Sequence, residues 1–395
     1  MSKKSILFIA YDFPPILSPE SIQVQRRALS LAKGGHKVHV LTSNSSADFE
    51  FMDHSLERTH ENLIVHRVER VFFEKARHYL CAPLQLTDRK LWWKIPALKL
   101  AEQIVVDHGI TRIYTHSTPL VNHLVGLDIV KIFPDISWTA HFSDPWTLNP
   151  YISYRTSLQR KANEHLERKV LDHVSCITVT SQKTRDLFIN GFNLKSSKIR
   201  VLPHVFDPEM YPEPDKPAEK TIIAHTGHIY GLRTILPLIE AVKAEKPQNI
   251  EFHFYGRIKE NEREAAERQT PGVFKFLDPI PFAESIAVLS RADILLVVDA
   301  PLKNSPFFPS KLADYIGACK PIAALTPSSS TTMDILASLS PEPLAADSGS
   351  AEGIRKLLRR IEAGEFAYPT VEKTAAYNMN NSYHQIYEAL IDAEL

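Results

Sequence analysis

Short apolar runs alternate with amphipathic stretches along most of this chain. Ser5–Ala10 (SILFIA) is continuously apolar apart from its first residue, as expected of a strand buried on both faces. Ser18-Pro19-Glu20 supplies an N-cap, a first-turn proline and a first-turn acid, so a helix is predicted from there to about Lys33, where Gly34-Gly35 stops it. Val38–Thr42 is the next strand, completing a βαβ unit and implying parallel pairing with a right-handed crossover. Further strands are predicted at Ile110–Thr115, Ser137–Phe142, Cys176–Thr180 and Ile199–Leu202. Helices fall between them at Ile95–Val106, Val121–Ile132 and Ser157–Leu171.

The pattern breaks at Pro203–Lys220, where five prolines and many charges read as a linker. It then restarts. Strands are predicted at Thr221–Thr226, Ile250–Tyr255, Val273–Phe276, Ile294–Val298 and Ile322–Leu325. Helices are predicted near Leu236–Ala244, Arg263–Glu267 and Phe282–Ser290, with a terminal helix over Tyr377–Leu395. The fold class that follows is α/β, with two Rossmann-like doubly wound domains facing a cleft. The expected boundaries are 1–203, a linker 204–219, a second domain 220–376, and a terminal helix 377–395 that packs back on the first domain. In open parallel sheets, ligands bind beyond the carboxyl ends of the strands, so the informative loops are those that follow strands.

Composition narrows the classes. Apolar residues make up 44% and charged residues 23%, an ordinary soluble globular balance. The 46 basic and 46 acidic side chains cancel, which excludes a nucleic-acid binder relying on bulk attraction. Three cysteines, Cys81, Cys176 and Cys319, have neither metal nor disulfide spacing and point to a reducing, cytoplasmic setting. The first apolar run breaks at Tyr11-Asp12-Phe13-Pro14-Pro15, too early for a signal peptide, and no run approaches a membrane span.

Candidate chemistry concentrates after strands. Phe308–Ile322 (FPSKLADYIGACKPI) reads as a loop, the start of a helix and a turn into a strand. Ser310 and Lys311 at the mouth of that helix suit a phosphate, because first-turn amides lack partners and the dipole is positive there. Asp314, one turn in, is placed to accept hydrogen bonds from sugar hydroxyls. A lysine this early in a helix opposes the dipole, which favours a bound anion over a merely solvated face. Thr226–Arg233 (TGHIYGLR) joins another strand to a helix. Gly227 and Gly231 permit close backbone approach, and the forked donors of Arg233 suit a diphosphate; the bland alternative is a surface arginine. Trp138–Trp146 (WTAHFSDPW) puts His141 at a strand end with Asp144 beyond it. These two read equally well as a sugar-orienting pair or as a satisfied core histidine beside an Asp-Pro turn. The loop Tyr11–Ser21 is longer than usual βα connections and reads as ligand-facing.

Segment 70–99 carries seven Lys/Arg against Glu74 and Asp88, together with Phe72, Phe73, Tyr79, Trp92 and Trp93. It fits peripheral contact with an anionic membrane surface or a lipid-linked acceptor, and equally well core aromatics with solvated charges between them. Neither Asp-x-Asp nor G-x-G-x-x-G nor G-x-x-x-x-G-K-[ST] occurs, so charge on a diphosphate has to be met by cationic side chains and helix amides.

Four segments, in order and properly spaced, resemble glycosyltransferase family 4 of the GT-B, two-Rossmann type. ILFIAYDFPP…RRALSLAKGGHKVHVLT resembles the family's opening strand, loop, helix and strand. AHFSDPW resembles "ADFRDPW", HTGHIYGLR resembles "YTGSLYG-R", and FPSKLADYIGACKPI resembles the "FPSKLFEYLAAGKPI" of a bacterial subgroup. The resemblance implies a metal-independent, cofactor-free retaining transferase. It would move a hexose from a nucleoside-diphosphate-sugar to a glycan or lipid-linked acceptor, in surface polysaccharide or glycoconjugate synthesis. It further implies that Gly227, with Tyr230 of the same loop, contacts the donor and that Arg233 and Lys311 take the two phosphates. Ser310 would sit at the phosphate cradle, Asp314 would replace the glutamate that holds the ribose, and His141 would lie near the donor sugar. The family's first glutamate falls at Pro306, which has neither a carboxylate nor an N–H. Two alternatives share the fold: a nucleotide-sugar 2-epimerase and a non-catalytic sugar-nucleotide-binding protein. The expected location is cytoplasmic, peripheral on the inner membrane face through 70–99.

Overall fold

A computed structural model of the chain describes residues 3–44, 52–69, 90–212 and 220–390. Residues 70–89 of the basic, aromatic segment and 213–219 of the linker therefore lie outside the described residues. The chain divides into two compact units, Met1–His204 with Met379–Leu395, and Val205–Asn378.

The first unit holds strands β1 (Ser5–Ile9), β2 (Lys37–Ser43), β3 (Leu63–Val68), β4 (Arg112–Ser117), β5 (Ser137–Phe142), β6 (Cys176–Val179) and β7 (Ile199–Val201). Between them run α1 (Pro19–Lys33), α2 (Lys94–His108), α3 (Val121–Ile132), α4 (Ser157–His173) and α5 (Gln182–Phe192). All strand pairs are parallel and the sheet order is β3-β2-β1-β4-β5-β6-β7. The order reverses beside β1, the switch point where doubly wound sheets take ligands. The two-residue period of β1 separates two cores. Leu7, Ile9 and Tyr11 pack with Trp93, Trp138 and the α3 side chains Val121 and Val125. Ile6, Phe8 and Ala10 pack on the other face with Val24, Ala28 and Leu31 of α1.

The second unit continues with β8 (Thr221–Thr226), α6 (Leu236–Glu245), β9 (Ile250–Tyr255), α7 (Glu260–Gln269), β10 (Phe274–Leu277), α8 (Phe282–Arg291) and β11 (Ile294–Val298). Next come α9 (Ser310–Gly317), β12 (Ile322–Leu325), α10 (Thr331–Leu339), β13 (Leu344–Ala346), α11 (Ala351–Glu362) and the short α12 (Val371–Thr374). Its sheet is also wholly parallel, in the order β10-β9-β8-β11-β12-β13. The predicted α/β class with two Rossmann-like parallel sheets is thus the observed one.

The last helix, α13 (Tyr383–Leu390), belongs to the first unit. Ile386, Tyr387 and Leu390 complete the α1-side core. The backbone of the returning segment accepts hydrogen bonds from Ser30 Oγ at Met379 O (3.2 Å) and from Thr139 Oγ1 at Ala389 O (2.9 Å). Among the described residues, no helix is long and apolar enough to cross a membrane.

Candidate functional site

In the second unit, β8 ends at Thr226 and its loop meets the start of α9. The helix has Pro309 at its N-cap position and no side chain capping its first turn. Lys311, in that first turn, sends its ammonium to the β8 end, where Nζ lies 3.1 Å from His225 Nε2. The direction of this bond follows from the tautomer. His225 Nδ1 lies 2.8 Å from Leu296 O, a pure acceptor, so Nδ1 carries the proton. His225 is 1% exposed and its pKa is driven well below the usual histidine value by burial and then by the charge of Lys311. The ring is therefore neutral, Nε2 is a lone pair, and Lys311 donates to it.

Lys311 itself is partly buried, and its pKa is lowered to about 7, first by burial and then by the like charge of Arg233, with Asp299 acting the other way. No carboxylate pairs with the ammonium among the described residues, and its acceptor is an uncharged imidazole. Asp299 follows β11 and is 4% exposed; its Oδ2 accepts hydrogen bonds from Thr326 Oγ1 and Thr332 Oγ1, both at 2.7 Å. Burial raises its pKa against those two hydroxyls and the charges of Arg233 and Lys311. The result is a cationic helix mouth whose countercharge, Asp299, is buried.

Glycines shape the approach to it. Gly227 has φ +105°, and a Cβ there would stand 2.8 Å from Lys311 Nζ. Gly256, at φ +146°, lies against it, with a Cβ position only 2.5 Å from Gly227 O. Neither position accepts a side chain without displacement. Tyr315 of α9 locks the helix to this loop, its hydroxyl accepting from Thr226 N at 3.0 Å. Arg233 lies with its guanidinium 4.9 Å from the ring centroid of Tyr230, which is 63% exposed. Ser310 is the first residue of α9; Asp314, one turn on, is buried to 7% exposure, and its backbone carbonyl accepts from Tyr211 Oη at 2.9 Å. The structure therefore brings Gly227, Tyr230, Arg233, Ser310, Lys311 and Asp314 together around one loop and one helix mouth. Pro306 lies just before this helix, its carbonyl accepting from Thr331 Oγ1 at 2.8 Å.

His141 is elsewhere, on β5 in the first unit, and touches no solvent. Its Nδ1 lies 3.0 Å from Thr178 Oγ1, not on Asp144, and its ring stacks on His116 at 4.7 Å. Burial, then the charge of Arg27, holds its pKa well below the usual value, so the ring is neutral. Arg27 is itself fully buried, donating to Tyr114 Oη at 2.7 Å and to Leu202 O at 3.3 Å. Its side chain thereby ties α1 to the end of the sheet. The strand-end loops of this unit converge on an acid instead. Ser18 caps α1 by accepting from Ser21 N at 3.1 Å, and donates to Asp12 Oδ2 at 2.8 Å. Glu20, in the first turn, has its pKa raised to about 8 by burial, then by the charges of Asp12 and Asp144.

Sequence reasoning missed His225, Asp299 and Glu20. Each had a signal. His225 and Asp299 fall at the carboxyl ends of buried strands, and Glu20 lies in the first turn of the helix that follows the first strand-end loop. It also missed a group on a different edge: His39, His66 and His108 bring nitrogen atoms within 4.8 Å of one another.

Residues 22–210 match the sequence model of Glycosyltransferase Family 4. Those residues, nearly half of the chain, are similar to that family. No curated protein matches the chain in sequence. Solved structures match it across nearly its whole length. The Anabaena protein HepE, solved in complex with UDP, is 15% identical with a TM-score of 0.62, over 98% of this chain and 95% of HepE. A glycosyltransferase from Rickettsia africae is 12% identical with a TM-score of 0.67, over 98% of both chains. A putative UDP-N-acetylglucosamine 2-epimerase from Listeria monocytogenes is 12% identical with a TM-score of 0.57, over 98% of this chain and 96% of the epimerase. At these identities the likeness establishes the fold, the GT-B type with two Rossmann-like sheets, and it is shared by transferases and an epimerase alike.

Proposed function

We propose that the protein is a metal-independent, retaining glycosyltransferase that takes a sugar from a nucleoside-diphosphate-sugar and passes it to a glycan or lipid-linked acceptor. The observation that carries this reading is Lys311: a cation at an uncapped helix mouth, held by a neutral histidine and matched by no carboxylate among the described residues. A diphosphate supplies the missing negative charge. As the glycosidic bond breaks, charge grows on the leaving diphosphate, and donors fixed before the reaction stabilise it without reorganising. Lys311, Arg233 and the first-turn amides of α9 fill that role. Gly227 lets the phosphate approach the backbone, Ser310 sits at the phosphate cradle, Asp314 serves the nucleoside side, and Tyr230 flanks Arg233. His141, fully buried, is assigned a positioning role on β5 rather than contact with the sugar.

UDP is the first nucleotide to try, given its presence in HepE. Calorimetry against UDP, GDP and ADP, repeated on Lys311→Ala and Arg233→Ala, tests the site; binding of none of them by the wild type refutes it. Proton NMR of the product made from a UDP-sugar reads anomeric retention. The fold likeness to an epimerase sets the competing outcome: deuterium entering C2 of recovered donor, with no acceptor present, assigns the protein there instead. Binding without turnover of any donor assigns it as a sugar-nucleotide-binding protein, the outcome that Pro306 would explain.

A further inference from the structure

His39 lies on β2, His66 on the neighbouring strand β3, and His108 is the last residue of α2, which packs against both strands. The register pairs His39 with Ile64, so His66 is the diagonal neighbour of His39 on the same sheet face. His39 is 1% exposed, His66 is half-buried and His108 is exposed. The rings crowd together: His39 and His108 have centroids 4.2 Å apart, and His39 Nδ1 lies 3.0 Å from His66 Nε2. One candidate ligand nitrogen from each residue lies within 4.8 Å of the other two.

We propose that His39, His66 and His108 form a binding site for a divalent first-row transition cation, zinc in the first place, with the remaining coordination open to water on the His108 side. Imidazole is the ligand such ions prefer, and three protein nitrogens with one open position is an established zinc arrangement. A tetrahedral zinc with Zn–N bonds of about 2.0–2.1 Å holds its nitrogens roughly 3.3 Å apart. The pair at 3.0 Å needs only a slight opening. In the free protein these two nitrogens share one proton. A cation takes that place while the proton moves to the outer nitrogen of the ring that gave it, so no net charge is lost.

The outer nitrogen of His39, Nε2, is buried with no hydrogen-bond partner among the described residues. With Nδ1 on the cation, that nitrogen carries the ring's proton. Lys37 adds an opposing charge, but its residue is exposed to water, which screens it. None of the three histidines belongs to the proposed donor site.

The test uses tag-free, full-length protein stripped with chelator. Titration with zinc chloride is expected to show one equivalent bound, and cobalt chloride to give the intense visible band of a low-symmetry nitrogen site. His108→Ala and His66→Gln should each weaken zinc binding about tenfold or more. His108 is exposed, so its replacement should leave the metal-free circular dichroism and melting temperature unchanged. Absence of stoichiometric binding overturns the proposal. So does zinc binding unaltered in both variants, which would assign the ion to other histidines, or magnesium displacing the bound zinc, which would assign it to oxygen ligands.

Discussion

Lys311 is held between two opposing demands, since burial and Arg233 work against its charge while a phosphate would require it. Its pKa is lowered from 10.5 to about 7. Between those values the unfolded chain binds a proton that the folded chain does not. The unliganded protein therefore gains stability from this group as pH rises across that window. Nucleotide affinity should move the opposite way, falling by up to about tenfold per unit as pH rises above about 7, because the bound anion needs the ammonium. Calorimetry across pH checks this, and Lys311→Met should lose both the affinity and the slope. Glu20 gives the mirror case. Its pKa is raised from 4.5 to about 8, so the folded state binds the extra proton in that window and stability falls as pH rises through it. Glu20→Gln should flatten this dependence and melt higher than the wild type in mildly alkaline buffer, read by scanning calorimetry. Lys311 was legible in the sequence because a lysine in a first helical turn is anomalous. Its partner His225 was not singled out, because only the fold sets a β8 histidine against an α9 lysine.

Among elements, the β8–α9 contact depends on backbone without side chains. Gly256→Ala would press a Cβ onto Gly227 O and hold a strained φ, costing about 1–3 kcal/mol for the conformation alone. It should lower the denaturation midpoint and, by shifting Gly227 against Lys311, weaken nucleotide binding as well. Chemical denaturation and calorimetry on the same sample read both effects. Helices were legible where caps and apolar periodicity agreed. Pro19–Lys33 has its Ser18 cap as expected, and Val121–Ile132 and the strand Ser137–Phe142 match residue for residue. Of the four edge strands, β7 and β10 were legible as short apolar runs, whereas β3 and β13 were not. Leu63–Val68 is exposed at Ile64 and Val65 and carries His66 and Arg67, so its composition lacks the apolar run of a central strand. Leu344–Ala346 is only three residues long. Both are held by pairing with one neighbour, which the linear sequence does not display.

For the whole molecule, the consequential feature is the return of the chain to its first unit. Ile386, Tyr387 and Leu390 are each at least nine-tenths buried against α1-side residues. Burying such side chains contributes about 1.5–3 kcal/mol each. Deleting residues 379–395 should therefore destabilise the first unit by several kcal/mol while leaving the core of Val205–Asn378 intact. Calorimetry of the truncated chain is expected to show an early loss of one transition, with proteolysis mapping it to the first unit. The sequence by itself determined the alternation of strands and helices, the parallel α/β class and the loops that carry charge. Those properties are local, being set by periodicity, caps and breaks. Only the tertiary structure decided which charges meet: His225 under Lys311, Asp144 acting on Glu20, His141 sealed against Thr178, and three histidines from separate elements converging on one sheet face. Such meetings depend on strand order and register across residues far apart in the chain, and no pattern within a window of sequence encodes them.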